Sequence, residues 1–289
     1  MLRLPRISGR RTSAWSVSVW RSVIDRTAAS SQRGGMSEDI EPLKVCRMCL
    51  KHRKLIRAHI VPKGFYKPIM SKKGVVILSP TEKNFEQPTQ SGIFDKNILC
   101  AECDARLGKL DEYGLSIFGK APGKADLIEG RLLPGYDLHC KDVPKAQKFL
   151  LSVLWRASIS EHSFFYITDL GEKYEEKIRL LLLCEEPVRE EDFEFTVTRL
   201  EGSPLAGAFM PPFAARTPEG INCYRLFLPF FSFMVRMDRR PFPPLLKLIR
   251  FTAASTPQCI KLNYAGSVEE KIFSKVTNDT LKRAYSECP

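Results

Sequence analysis

Four cysteines in two matched pairs are the residues of this 289-residue sequence whose spacing points most directly to chemistry. Cys46 and Cys49 form one Cys-x-x-Cys pair, and Cys100 and Cys103 form a second after fifty intervening residues. Each pair can turn two thiolates toward one ion, and two pairs complete the tetrahedral sulfur shell that zinc prefers. The spacing therefore predicts one structural zinc site with a long loop or hairpin inserted between its halves. Two disulfides, or two chance pairs of buried thiols, are the alternatives.

Between the two pairs lies a histidine that could act on a phosphodiester. His59 stands in the segment Ala58-His59-Ile60-Val61-Pro62, and Asp104 directly follows the second cysteine pair. A histidine can take a proton from water, and carboxylates are ligands that hard divalent cations prefer. On the residues alone, His59 could also be a zinc ligand or a structural residue that hydrogen-bonds a backbone carbonyl.

The net charge of +12 is concentrated in two segments. Residues 1–35 contain seven arginines and one acid, and residues 42–81 contain ten lysines or arginines and no acid. A basic patch of this kind attracts polyanions, so we expect a nucleic acid, DNA in the first place, as its partner. The residues that we assign to this contact are Lys51, Arg53, Lys54, Arg57, Lys63 and Lys67. A solvated basic face with no partner is the alternative.

With the cysteine pairs and the histidine in place, the layout resembles the zinc-containing HNH endonuclease family over about residues 44–114. The segments Cys103-Asp104, Leu110-Asp111-Glu112-Tyr113 and 151–158 also resemble a group of uncharacterised bacterial proteins. That second resemblance extends over most of the chain beyond Met36.

The resemblance implies a ββα module braced by zinc, with His59 as the general base. It further implies a catalytic Mg²⁺ or Mn²⁺ ion held by Asp104, with Asp95 or Glu112 as a tentative further ligand. Ala58 is a departure, because the family carries a metal-binding side chain directly before the histidine. The alternative function is therefore a catalytically inactive zinc module that binds nucleic acid or a protein partner.

The hydrophobic pattern predicts an α+β protein with a small module followed by a larger domain. We expect a disordered basic tail over 1–35, upstream of a natural start at Met36, and the HNH-like module over 36–118. A linker over 119–144 would lead to an α+β domain over 145–289 that begins with a helical hairpin. Helices are predicted from Cys103 to about Tyr113 and over 145–160, 172–183 and 267–284, and strands over 75–78, 193–200, 224–235, 245–251 and 259–262.

Composition limits the class of protein. No apolar run approaches the roughly 20 residues that a membrane-spanning helix needs, so we expect no membrane partner. Five of the nine cysteines lie outside the two pairs and show no repeated spacing. That pattern favours free thiols in a reducing compartment, and the sequence therefore predicts a cytoplasmic location.

Overall fold

The structure, a computed structural model, describes residues 43–69, 75–78, 86–89, 92–130, 132–207 and 209–275. The predicted tail at 1–35 and the second half of the helix predicted at 267–284 lie outside these residues. None of the helices in the described ranges is long and apolar enough to cross a membrane.

The first part of the described chain consists of short strands followed by one long helix. In chain order these elements are β1 (Lys44–Val45), β2 (His52–Arg53), β3 (Ala58–His59), a 3₁₀ helix (Lys63–Ile69), β4 (Val75–Leu78), β5 (Glu86–Thr89), β6 (Phe94–Asp95) and α1 (Ala101–Phe118). Three antiparallel pairs form, β1 with β2, β3 with β6, and β4 with β5. The β4–β5 hairpin is thus inserted between β3 and β6, and the β3–β6 pair leads into α1.

Helix α1 is longer than the sequence predicts. The expected end lay near Tyr113, before Gly114, but the helix continues to Phe118. A Cβ atom at Gly114 would come within 2.4 Å of the Phe149 ring on the next helix. Gly114 therefore allows two helices to pack closely, and it does not end α1.

Two further helices confirm predictions made from the apolar periodicity of the sequence. They are α2 (Val143–Ile159) and α3 (Gly171–Leu183). Asp142 caps α2 by accepting a hydrogen bond from the Lys145 backbone N–H at 3.0 Å, and Pro144 suits its first turn. Helix α2 is buried along nearly its whole length because it packs against α1, α3 and the large sheet.

The rest of the chain forms a seven-stranded mixed sheet. Its strands are β7 (Leu127–Ile128), β8 (Gly135–Tyr136), β9 (Phe195–Glu201), β10 (Met210–Arg216), β11 (Asn222–Leu228), β12 (Phe231–Arg236) and β13 (Cys259–Asn263). The spatial order is β10-β11-β12-β9-β13-β8-β7, with β9 and β13 parallel and the other neighbours antiparallel. The apolar run 224–235 is the β11–β12 hairpin, which turns at Pro229 and Phe230.

Two sequence-based assignments need correction. The segment 119–144 was expected to be a linker with some extended structure, but its extended parts are β7 and β8, which belong to one edge of the sheet. The strand predicted over 245–251 is wrong, because its start lies in the short helix α4 (Pro244–Lys247). Proline at a helix start has the required φ and lacks only an N–H that would be unpaired there, whereas a strand needs that donor.

One continuous hydrophobic core joins the module to the sheet. It runs from Cys46 and Met48 through α1 and α2 to Phe231 and Cys259. Phe118 at the end of α1 stacks on Phe149 and meets the Phe233 ring edge-on. The fold is α+β, and the module shares its core with the C-terminal part of the chain.

Candidate functional site

The two cysteine pairs converge on one point. The sulfur atoms of Cys46, Cys49, Cys100 and Cys103 all lie within 4.8 Å of one another. A tetrahedral zinc site with Zn–S bonds of about 2.3 Å places its sulfur atoms about 3.8 Å apart. The four thiols could therefore coordinate a metal such as zinc. Each of the four is a free thiol, so the structure does not show the alternative of two disulfides.

Local backbone geometry explains why the thiols converge. The turn after Cys46 closes when the Leu50 N–H donates to the Cys46 carbonyl, and Leu50 takes a φ of 59°. The second pair opens α1, where the Cys100 N–H donates to the Cys46 sulfur at 3.4 Å. Burial alone would raise the pKa of the Cys46 thiol, but N–H donors from Cys49, Cys100 and Met48 outweigh it and lower the pKa to about 7. A stabilised thiolate is the form that binds metal.

His59 lies at the end of β3, outside the cysteine cluster. It pairs with Phe94 across the β3–β6 pair, and the two rings meet edge-on at 6.4 Å between centroids. The His59 side chain is half-buried. Because the four cysteines already supply four ligands, the alternative of His59 as a zinc ligand is not supported.

Arg156 of α2 holds the end of β3 against α1. Its side chain is only 1% exposed, and its guanidinium donates to both carboxylate oxygens of Asp111 at 2.6 and 2.8 Å. It also donates to the His59 backbone carbonyl at 2.9 Å. A buried guanidinium requires such partners, so this bidentate pair fixes the position of His59 relative to α1.

Asp104 completes this cluster from the first turn of α1. Asp104 and Asp111 are seven residues apart, which places them on nearly the same face of the helix. Burial raises the pKa of the Asp104 carboxyl and Asp111 adds to this, although Arg156 and His59 lower it in part. His59, Asp104, Asp111 and Arg156 thus form one electrostatically coupled group, which we call the His59 cluster.

A glycine leaves open space on the helix face that carries the two aspartates. Gly108 lies between Asp104 and Asp111, and a Cβ atom added there would meet nothing within 4 Å. An atom could therefore be added at Gly108 without a clash. Carboxylate oxygens, which Asp104 and Asp111 carry on this helix face, are ligands that hard divalent cations prefer.

The structure does not bring Asp95 to the His59 cluster. Asp95 pairs with Ala58, so its side chain lies on the face of the β3–β6 pair opposite to that of His59. Its carboxylate accepts hydrogen bonds from the Asn97 N–H at 2.8 Å and from the Ser160 hydroxyl and Glu161 N–H at 2.9 Å each. Asp95 therefore stabilises the turn after β6 and the end of α2, which argues against the metal-ligand role expected for it.

Glu112 is also set apart from the cluster. It is exposed, and it lies roughly 80° around α1 from Asp104. The carboxylate that the fold supplies is its neighbour Asp111, which the sequence-based prediction did not assign. The sequence offers one hint of this pairing. Arg156 lies within α2, an otherwise apolar helix, and a buried arginine needs an acidic partner.

A cationic cleft adjoins the His59 cluster at Phe94. The Arg57 guanidinium stacks over the Phe94 ring at 3.6 Å, while His59 contacts the same ring from β3. The cleft has a volume of about 460 Å³. It is lined by Lys44, Lys54, Leu55, Ile56, Arg57, Lys96 and Asn97.

The structure divides the six cations assigned to nucleic-acid contact. Lys54 and Arg57 line the cationic cleft, whereas Lys51, Lys63 and Lys67 are exposed outside it. Arg53 forms a long ion pair of 3.8 Å with Glu102. Three polar lining residues were not among those six. Lys44 lies within the basic segment of the sequence, whereas Lys96 and Asn97 lie beyond it and come close to the cleft through the β3–β6 pairing.

Comparison with known proteins identifies no relative of this chain. No family model, no curated protein and no solved structure matches it.

Proposed function

We propose that this chain is a zinc-stabilised, HNH-like nucleic-acid-binding protein that hydrolyses phosphodiester bonds at the His59 cluster. The observation that carries the proposal is the β3–β6–α1 arrangement, which couples His59 to Asp104 beside a cationic cleft. Four cysteines within 4.8 Å favour zinc as the structural metal, because a sulfur-only tetrahedral shell is typical of zinc.

In this proposal the residues have separate roles. His59 takes a proton from the attacking water, and Arg156 holds the His59 backbone in place. Asp104 and Asp111 would hold a Mg²⁺ or Mn²⁺ ion through hard carboxylate oxygens, on a helix face that is open at Gly108. Such an ion would supply charge stabilisation at the scissile phosphate. The cations at Lys54 and Arg57 attract the phosphate backbone.

One observation favours a second candidate function, a binding module without catalysis. Asp111 is engaged by Arg156 through two hydrogen bonds, and Ala58 offers no ligand where the HNH family has one. Asp104 would then be the one carboxylate of the His59 cluster that a cation could use fully. A module of this kind would bind nucleic acid and leave it intact.

Plasmid nicking with added Mg²⁺ or Mn²⁺ tests the hydrolytic proposal. We expect the wild type to nick supercoiled DNA and His59→Ala to lose about 10²–10⁴-fold in rate, the usual effect of removing a general base. Asp104→Asn should abolish turnover if it removes a metal ligand that the reaction needs. His139→Ala is the matched control, because His139 is exposed and pairs with Asp126 at 2.9 Å, outside the cluster.

All variants should be compared at equal zinc content, so that a loss of folding is not counted as a loss of chemistry. Nicking that survives His59→Ala would contradict the assigned site. The absence of nicking with every cation, combined with intact DNA binding, would support the non-catalytic module.

A further inference from the structure

We propose that the cationic cleft binds the terminal phosphate of a nucleic-acid strand. This inference rests on the proposed function only in taking nucleic acid as the ligand. It goes beyond that function by assigning recognition of a strand end to a site separate from the His59 cluster.

The charge of the cleft favours a doubly charged ligand. Four cations line it, Lys44, Lys54, Arg57 and Lys96, and no carboxylate is among its lining residues in the described part of the chain. A terminal phosphate monoester carries about −1.5 to −2 charges at neutral pH, as a phosphorylated side chain does. An internal phosphodiester carries one negative charge only. A cleft whose charged lining residues are all cations therefore attracts a strand end more strongly than the interior of a strand.

The shape of the cleft also suits a compact ligand. Its volume of about 460 Å³ falls within the range of small-molecule sites, which are about 300–1,000 Å³. That is room for one nucleotide, and the half-buried Leu55 and Ile56 give it an apolar wall. A single nucleotide at the end of a strand combines a charged phosphate with an apolar base face, and both match this lining.

Part of the cleft is held in place before any ligand binds. The Lys44 ammonium donates to the Asn97 side-chain carbonyl at 2.8 Å, and the Asn97 N–H donates to the buried Asp95 carboxylate at 2.8 Å. Arg57 is fixed by its stacking on Phe94. In contrast, Lys54 and Lys96 are exposed and have no hydrogen bond or ion pair within the described residues, so their ammonium groups can turn toward a phosphate.

The cleft lies on the same face of the β3–β6 pair as the His59 cluster. Arg57 and His59 are two residues apart and both contact the Phe94 ring, at 3.6 and 6.4 Å. A strand whose terminal phosphate is bound by Arg57 would therefore pass Phe94 before it reaches His59. End binding would set the distance between the strand end and the reacting phosphate.

Direct binding measurements test this inference. The probes are fluorescent thymidine octanucleotides that carry a 5′-phosphate, a 3′-phosphate or hydroxyl groups at both ends, measured by anisotropy with the full-length protein at one ionic strength and without added divalent cations. We expect one phosphorylated oligonucleotide to bind at least about ten-fold tighter than the hydroxyl form, since charge-assisted hydrogen bonds are the strong ones. Circular single-stranded DNA, which has no ends, should compete poorly for the phosphorylated probe.

Two double variants assign the preference to the cleft. Lys54→Ala with Lys96→Ala should remove the preference for a phosphorylated end, and both residues are exposed, so the fold should tolerate the change. Lys120→Ala with Lys124→Ala removes the same charge at exposed positions outside the cleft and should keep the preference. Equal affinity for all three oligonucleotides, or equal loss in both double variants, would overturn the inference.

The two proposals can fail separately. If the protein prefers phosphorylated ends but does not nick plasmid DNA, the hydrolytic proposal fails and the end-binding site stands. If it nicks plasmid DNA without any end preference, the end-binding site fails and the His59 cluster stands.

Discussion

The cysteine-containing module and the seven-stranded sheet are stabilised in different ways. The module's strands β1, β2, β3 and β6 are two residues long, and both residues of β1 and of β2 are exposed. The central strands β9, β11 and β12 are six or seven residues long and largely buried. The sheet can therefore hold its fold through apolar burial, whereas the short strands of the module bury too little surface to do so.

The module has specific links in addition to the apolar side chains that it buries in the shared core. The cysteine cluster joins its two halves, and Arg156 joins β3 to α1 and α2. Arg179 of α3 donates to the Met48 carbonyl in the first cysteine turn at 2.7 Å. The His59 cluster thus lies where the module meets the helices. We infer that changes in the metal site or in α2 reach the candidate catalytic residues more directly than changes in the sheet do.

Loss of metal binding should have the largest effect, and it should affect the module much more than the sheet. Cys46→Ala or Cys100→Ala should abolish metal binding and unfold the module, because a structural zinc contributes on the order of 10 kcal/mol to folding of small zinc domains. Hydrogen exchange should show lost protection over 44–103, with protection largely retained over 222–236. Elemental analysis should find one zinc per chain in the wild type and none in the variants.

Cys223→Ala is the control for that experiment. Cys223 is a buried free thiol on β11, away from the cluster, and burial raises its pKa to about 11. Its replacement should leave the zinc content unchanged. A wild-type protein without metal, or a module that keeps its protection in the cysteine variants, would contradict the predicted dependence.

Two buried arginines, one in the His59 cluster and one in the sheet, allow a test in which the expected loss of stability is intermediate. Arg156 pairs with Asp111 within the His59 cluster, and Arg236 pairs with Glu194 at 2.7 Å in the sheet. Both arginine side chains are 1% exposed. Replacing Arg156 with Met leaves the Asp111 carboxylate without its arginine, and we expect this change to lower the free energy of unfolding by about 3–5 kcal/mol. Replacing Arg236 with Met should lower it by less, because Glu194 keeps its ion pair with Arg250 at 3.1 Å. Chemical denaturation measures both.

The two arginine variants should differ at His59. Arg156→Met removes the donor to the His59 carbonyl, so the NMR resonances of His59 should change. Arg236→Met should leave them as in the wild type. If both variants shift His59 equally, then Arg156 has no special positioning role.

The sequence predicts the parts of this molecule that local pattern controls. Cysteine spacing predicts the cluster, and apolar periodicity predicts α2 and α3 to within a few residues. The failures arise where a distant contact decides the outcome. Gly114 reads as a helix end until Phe149 is known to pack on it, and residues 119–144 read as a linker until β13 pairs with β8.

The candidate site shows the same division. His59 and Asp104 follow from the motif, and the charge of His59 lowers the pKa of Asp104 in part. Asp95 was expected as a further metal ligand, but strand alternation places it on the opposite face of the β3–β6 pair, where Ser160 and Glu161 donate to its carboxylate. Asp111 is recognisable as a site residue only once Arg156 is seen to lie beside it, since the two are far apart in the sequence.

The smallest expected change in the free energy of unfolding comes from replacing single glycines of helix α1. Gly108 and Gly114 both lie inside α1, but a Cβ atom at Gly108 meets nothing within 4 Å, and one at Gly114 would lie 2.4 Å from the Phe149 ring. Gly108→Ala should therefore raise the free energy of unfolding by about 0.5–1 kcal/mol, because alanine favours the helix. Gly114→Ala should lower it by about 1–3 kcal/mol through overpacking, despite the same gain in helix propensity.

Activity provides the second half of this glycine comparison. Gly108 lies between Asp104 and Asp111, so its methyl group would fill the opening where a cation and a phosphate are proposed to bind. We expect Gly108→Ala to be more stable yet slower in plasmid nicking, whereas Gly114→Ala should lose stability and keep its rate below its unfolding temperature. Denaturation and nicking are measured on the same preparations. If Gly108→Ala is as fast as the wild type, the reacting groups do not use the helix face between the two aspartates, and the assigned cation site must be abandoned.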